Sequence, residues 1–348
     1  MKKVLFLTMV LGLASCGSLM KGGSGKSRKL KLEVVNVPEE GGIKFQQITR
    51  DGSDLSHPST NSSGWFSGRM LSVSPDGQQI AYIDYKNATR NVYLKSTDVV
   101  GASVQRTFRA GVNTVCYSPD GQDIVFSETR DNSDAIYLIS TGGGNIVRQI
   151  TSGFNPSYSL DGRHIFFTRN ESTNSNSSNL TKTIWSYDTE SGMLSNYSNG
   201  NNPTPVYGDP DSFICERNSE TGYGEIWKIN YKTGTESIIL SNPGRNYTSP
   251  VVSPDGQWIL VVGNSSSNDK ALAYNPKSKK HYVFSTSKQN TDIYAVRIDG
   301  SQLIQLTYHK GNDFCPVWSP DGNMIYFLSQ RGSATGEYNI WKMDFKVR

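Results

Sequence analysis

Five times this chain writes a serine, a turn and an apolar strand: SPDGQQIAYID from Ser74, SPDGQDIVFSE from Ser118, SLDGRHIFFTR from Ser159, SPDGQWILVVG from Ser253 and SPDGNMIYFLS from Ser319. A sixth copy fills the long gap after the third. PVYGDPDSFICER from Pro205 aligns without a gap on PVWSPDGNMIYFL from Pro316. A unit of about 40 to 45 residues with several short strands cannot bury its own apolar face. A ring of such units, each a four-stranded sheet, can. The expected fold is therefore all-β, a six-bladed β-propeller of four-stranded antiparallel blades.

The second unit shows the parse. NTVCY, DIVFSE, AIYLIST and NIVRQIT alternate apolar and polar residues, with turn residues between them, and read as the inner, second, third and outer strands. In the first turn, Pro presets φ and Gly releases the chain into the next strand, while the aspartate between them can accept bonds from backbone N–H groups. Asp76, Asp120, Asp161, Asp255 and Asp321 each fall in a different blade. They cannot pair as acid and base, and they read as turn residues.

Open sheet edges invite aggregation, so the ring must close. The last unit stops at YNIWKMDF, a third strand, whereas IKFQQIT (43–49) matches outer strands such as LIQLT (303–307). The N-terminal strand is expected to complete the last blade. One stretch resists the parse: between Asp255 and Asp321, ALAYNPKSKKHYVFS and DIYAVRIDGSQLIQLT both look like third-plus-outer hairpins. Six blades with one extra hairpin is the preferred reading, and seven blades with one incomplete is the alternative.

The first residues point to export. Lys2 and Lys3 precede an apolar run, Val4 to Ala14, far shorter than the roughly 20 residues of a membrane-spanning helix. It reads as a signal peptide over 1–15. Residues 16–29 are Gly/Ser/Lys-rich and read as a tether, leaving 30–348 for the propeller. GGSGKS within the tether imitates the end of a phosphate-binding loop. Met20 stands where that pattern needs glycine, and no strand precedes it. The formal charge of +4 falls to +2 once Lys2 and Lys3 leave with the signal peptide, so no basic field argues for nucleic acid. Cys116, Cys215 and Cys315 sit in apolar strand patterns without C-x-x-C spacing and read as small buried hydrophobes. His57, His164, His281 and His309 share no ligand spacing. No metal or cofactor is expected.

Two resemblances follow from these residues. Leu13-Ala14-Ser15-Cys16 resembles the lipobox of bacterial lipoproteins, which implies that Cys16 is acylated and becomes the new N-terminus. The SPDG repeats, NTDIYAVRIDGSQLIQLT and EYNIWKMD resemble the TolB-like propeller repeats of bacterial envelope proteins, which also occur in the propellers of prolyl-oligopeptidase relatives. That resemblance covers 43–348 and implies the fold more than any one function. TolB itself carries an α/β domain before its propeller, and KLKLEVVNVPEEGG is too short for one.

If the first turn and the glycine turn share one side of the ring, the other connections open on the opposite side. These include 169–182, 217–225 and 329–339, and long loops on a rigid scaffold commonly carry recognition. Connections into the inner strands frame the channel mouth and contribute Arg69, Arg109, Asn113, Asn155, Asn202, Arg245, Tyr247 and Asp313. A rim of this composition suits a protein partner of the cell envelope. Three functions are compatible: a lipid-anchored scaffold in the outer membrane facing the periplasm, the reading preferred here; a channel-site enzyme such as a lyase or hydrolase on oligosaccharides or peptides; and a carbohydrate-binding module. Trp185, Trp227, Trp318 and Trp341 fall on repeat strands, where core packing is their expected task.

Overall fold

The computed structural model describes residues 34–35, 43–49, 68–86, 88–98, 102–142, 147–172, 180–242, 244–264, 270–275, 280–285, 291–309, 311–332 and 337–345. The signal-peptide, tether and Cys16 readings lie outside these residues, as does His57. Every described element is a strand.

Six four-stranded antiparallel blades form the ring. Blade 1 runs Leu71–Val73, Gln79–Lys86, Thr89–Ser96, Val104–Gln105; blade 2 runs Val112–Tyr117, Asp123–Arg130, Ser133–Ser140, Val147–Ser152. Blade 3 is Phe154–Tyr158, His164–Ser172, Leu180–Asp188, Leu194–Asn199, and blade 4 is Asn201–Val206, Asp209–Asn218, Gly224–Asn230, Thr235–Leu240. Blade 5 comprises Tyr247–Val252, Trp258–Asn264, Thr291–Arg297 and Leu303–Gln305. Blade 6 takes Asp313–Trp318, Met324–Ser329 and Asn339–Asp344 from the end of the chain and Phe45–Gln47 from its beginning, with Val34–Val35 pairing outside that. The anomalous stretch resolves as the extra hairpin: Lys270–Asn275 pairs with Lys280–Ser285 as a separate two-stranded sheet. It is inserted between the second and third strands of blade 5.

Closure is made by Phe45, Gln46 and Gln47 lying opposite Met343, Lys342 and Trp341. Ile48 N donates to Ile340 O at 2.7 Å. Thr49 then locks the strand end, because its hydroxyl donates to Asn339 Oδ1 at 3.0 Å and accepts from Ile340 N at 2.9 Å. The same clamp recurs inside blade 1, where Thr107 Oγ1 donates to Asn91 Oδ1 at 3.0 Å and accepts from Val92 N at 2.9 Å. Phe45, Trp341 and Phe327 are all fully buried.

The repeated corner is a hydrogen-bonded knot in which serine does as much as aspartate. In blade 1, Gly77 N closes the turn on Ser74 O, Ser74 Oγ donates to Asp76 Oδ1, Gln78 N donates to the same oxygen, and Gln79 N donates back to Ser74 Oγ. Blade 2 repeats it on Ser118 and Asp120. Blade 3 does so on Ser159 and Asp161, with Leu160 in the proline position. Ser253 with Asp255 and Ser319 with Asp321 complete the set. The corners also touch across blades. A Cβ placed on Gly77 would lie 3.7 Å from Pro320 Cδ, on Gly121 3.4 Å from Pro75, and on Gly162 3.7 Å from Pro119. The aspartates therefore turn the chain.

The serine hydroxyl first, then the backbone N–H, holds Asp76 and Asp120 below the ordinary carboxylate value; serine leads likewise for Asp161 and Asp321. Between the unfolded value near about pH 4 and the depressed folded value, the unfolded chain binds more protons, so stability falls as pH drops through that window. Replacing all four with Asn keeps an acceptor and removes the titration. Urea midpoints measured between neutral pH and about pH 2 should show a flatter acid limb in the quadruple variant, and an unchanged limb would contradict the knot.

Candidate functional site

Inner strands enter the ring with a bulge. Asn155, Asn202, Ser249 and Cys315 take positive φ of 52°, 54°, 54° and 51° in blades 3 to 6, where the ladder with the second strand shifts register. Such a bulge bends the strand and re-aims its side chains, and asparagine tolerates the left-handed region better than most residues. Around it the polar groups satisfy one another. Asn155 Nδ2 donates to Asn201 Oδ1 at 3.0 Å; Asn202 Nδ2 and Ser249 N both donate to Glu216 Oε1, at 3.0 and 3.1 Å.

The eight residues expected on the rim divide in two. Asn155, Asn202, Tyr247 and Asp313 are buried. Tyr247 packs edge-on against Tyr294, and Asp313 Oδ2 accepts from Arg331 Nη2 at 2.6 Å, both partners of that pair being fully buried. Arg331 also lies 4.1 Å over the Phe45 ring, so the pair sits beneath the closing strand. The half-buried four are braces. Arg69 reaches from blade 1 to Ser157 Oγ of blade 3 at 3.0 Å. Arg109 pairs with buried Glu128 while lying 4.2 Å over Tyr137. Arg245 donates to Tyr294 Oη at 3.0 Å, and Asn113 to Thr129 Oγ1 at 2.6 Å.

A groove of about 1610 Å³ opens on the long-loop side across blades 2 to 4 and reaches Asn246 and Thr248 at the edge of blade 5. It gathers Asn113 and Asn155 from the expected set, together with Asn132, Asn170, Asn196, Asn199, Asn201, Asn218 and Asn246. Two of these share one mount. Arg169 lies 4.5 Å over Trp185 and donates to Ser152 O and Thr151 Oγ1; Arg217 lies 4.7 Å over Trp227 and donates to Asn199 O and Ser198 Oγ. Each arginine thus ties its blade to the outer strand of the preceding one, and the next residue, Asn170 or Asn218, stands exposed in the groove. The legible signal was the repeated dipeptide in FFTRN and ICERN, each followed by a third strand of the form TIWS or EIWK.

Part of the 169–182 connection expected as loop is a strand extension. Arg169, Asn170, Glu171 and Ser172 pair with Thr183, Lys182, Thr181 and Leu180; residues 173–179 lie outside the described set. Outside the groove, Phe108 is 72% and Tyr308 46% exposed. They occupy equivalent places, each directly after a buried threonine that caps a third strand: Thr107 on Val92 N, Thr307 on Ile293 N at 2.9 Å. Trp341 and Trp318 are core residues, and Trp185 and Trp227 are half-buried beneath their arginines. Cys116, Cys215 and Cys315 are free; burial pushes the thiols of Cys215 and Cys315 up to about 12, which leaves them protonated and inert. Among the described residues, no three His, Cys, Asp or Glu side chains converge as metal ligands.

Six four-stranded blades, five of them turned on the serine–aspartate knot, and a closing N-terminal strand define a β-propeller whose long-loop face carries a polar groove. Residues 66–262 match the TolB beta propeller domain, and the chain belongs to that family. It is 26% identical over 219 residues to an uncharacterized peptidase, YuxL, of Bacillus subtilis, which covers 57% of this chain and 33% of that protein. It is 25% identical over 146 residues to a TolB homolog of Chlorobium luteolum, covering 36% of this chain and 33% of the homolog. The chain spans about a third or less of the length of the curated relatives it matches. Among solved structures, TolB from Acinetobacter baumannii superposes with a TM-score of 0.56 at 18% identity, over 78% of this chain and 64% of that one. Oligogalacturonate lyase from Vibrio parahaemolyticus gives 0.58 at 15%, over 92% and 98%. These likenesses establish the fold.

The buried Asp313–Arg331 pair gives a direct test of the brace under the closing strand. Arg331→Met leaves a buried carboxylate without its cation and should cost about 3–5 kcal/mol in urea unfolding. A loss under about 1 kcal/mol, typical of an exposed pair, would contradict the burial assigned to it.

Proposed function

We propose that this protein is a lipid-anchored scaffold of the bacterial envelope that holds a protein partner on its long-loop face. Phe108 and Tyr308 carry the reading. Large aromatic rings at the surface are the side chains that most often anchor protein interfaces. Each directly follows a buried threonine clamp, which fixes the backbone from which the ring projects. Half-buried Arg69, Arg109, Asn113 and Arg245 support the inner side of the same face. Membership of the TolB propeller family, whose repeats serve in envelope proteins, is consistent with this role. Cys16 would carry the lipid, with 16–29 as its tether, in the outer membrane facing the periplasm.

Detergent-solubilised envelope offers the test. Phe108→Ala with Tyr308→Ala should lower affinity for the captured protein by about 2 kcal/mol or more, with the melting temperature unchanged. Retained capture sinks the docking face. Cys16→Ser should leave a folded protein that no longer partitions with membranes, since the proposed lipid is lost; a variant still membrane-bound at high salt sinks the anchor.

A further inference from the structure

We propose that the groove across blades 2 to 4 binds a neutral oligosaccharide. This site is separate from the protein-docking reading, which rests on Phe108 and Tyr308. Nine asparagines line the groove, and they fall into two groups. Asn113, Asn155, Asn201 and Asn246 are consumed in holding bulges and strand ends together. The side-chain amides of Asn132, Asn170, Asn196, Asn199 and Asn218 make no hydrogen bond among the described residues, and all five are exposed. Each amide offers an acceptor and two donors from one plane. Sugar hydroxyls, which both donate and accept, match that chemistry one for one.

The mounts make these amides more than solvated surface. Asn170 and Asn218 each follow an arginine that is stacked on a tryptophan and bonded to the neighbouring blade, so the two are held at equivalent places in adjacent blades. A repeated, rigidly mounted donor–acceptor group suits a ligand that itself repeats. At the blade 1 edge of the groove, Arg90 Nη1 is buried and has no hydrogen-bond partner among the described residues. A ligand hydroxyl or ring oxygen would supply the missing acceptor.

Charge argues that the ligand is neutral. Arg90, Lys182 and Arg217 are matched by Asp134, Glu216 and Glu236 along the lining. Arg217 and Glu236 bond each other twice, and Glu216 is taken up by Asn202 and Ser249. An acidic chain would find no net field to attract it. Among the described residues the lining carries no deep apolar anchor, which argues for sugar over peptide. Protein interfaces are centred on aromatic, Met and Arg side chains. Here the apolar lining is Phe154, Leu180 and Tyr197, and Arg217 is already committed to its brace. The partly exposed ring of Phe154 offers surface for the C–H face of a sugar, whereas Tyr197 is packed among Phe166, Phe213 and Tyr231.

The test is calorimetric titration of the whole protein with cellohexaose, maltohexaose and chitohexaose, and with hexagalacturonate and hexaglycine as acidic and peptide comparators. At least one neutral hexasaccharide should bind, and Asn170→Ala with Asn218→Ala should weaken it by about tenfold or more with an unchanged melting temperature. Asn196→Ala with Asn199→Ala should act in the same direction through a different strand. The proposal is overturned if none of the three shows binding at about 10 mM, tenfold weaker than a millimolar affinity, or if both double variants bind as the parent does. Tighter binding of hexagalacturonate would overturn its neutrality. Tighter binding of hexaglycine would assign the groove to peptides instead, leaving the Phe108 and Tyr308 reading to its own experiment.

Discussion

A ring of sheets stands or falls on its seam. Five blades are built from consecutive stretches of chain, but the sixth takes its outer strand from residues almost 300 positions away, Phe45–Gln47 on Asn339–Asp344. Without that strand the third strand of blade 6 would be an open edge, the feature that natural sheets take most care to avoid. Three kinds of contact hold the seam: backbone ladder, the two-way threonine clamp of Thr49, and burial of Phe45 over Phe327 and Arg331. The last ties closure to the core, because Arg331 is in turn held by Asp313 on the inner strand.

Everything else divides between the two faces of this closed ring. One face is made of short knotted corners that touch their neighbours through proline and glycine, which leaves them little freedom to vary. The other carries the longer connections, and there arginines do the bracing: Arg109, Arg169, Arg217 and Arg245 each lie over an aromatic ring of their blade or the next. Bracing of this kind lowers the ordering entropy that binding must overcome. It explains how one face can present both exposed aromatic rings and a polar groove without losing rigidity.

The fold was legible because its information is local. Turn chemistry and two-residue alternation are written within each repeat, and the closing strand announced itself by matching other outer strands. The serine of the corner was visible five times, yet its link to the amide five residues on is a bond that no periodicity reports. The rim was less legible. Tyr247 is buried because Gly263 and Gly224 make room for it; a Cβ on Gly263 would come within 3.1 Å of the Tyr247 ring. Asp313 is buried because an arginine eighteen residues later turns inward to meet it. Strand pairing beyond Arg169 was hidden because its residues are polar on both faces, so alternation is silent there.

Seam, corners and arginine braces together describe a closed ring whose long-loop face is held in place by structure already complete. The most direct measurement compares the equilibrium unfolding and the size in solution of a chain beginning at residue 32 with one beginning at residue 50. If the N-terminal strand closes the ring, the longer chain unfolds as a monomer in one cooperative transition. The shorter one loses that transition or self-associates through the bared edge of Asn339–Asp344. Two monomers with the same unfolding midpoint would contradict the account.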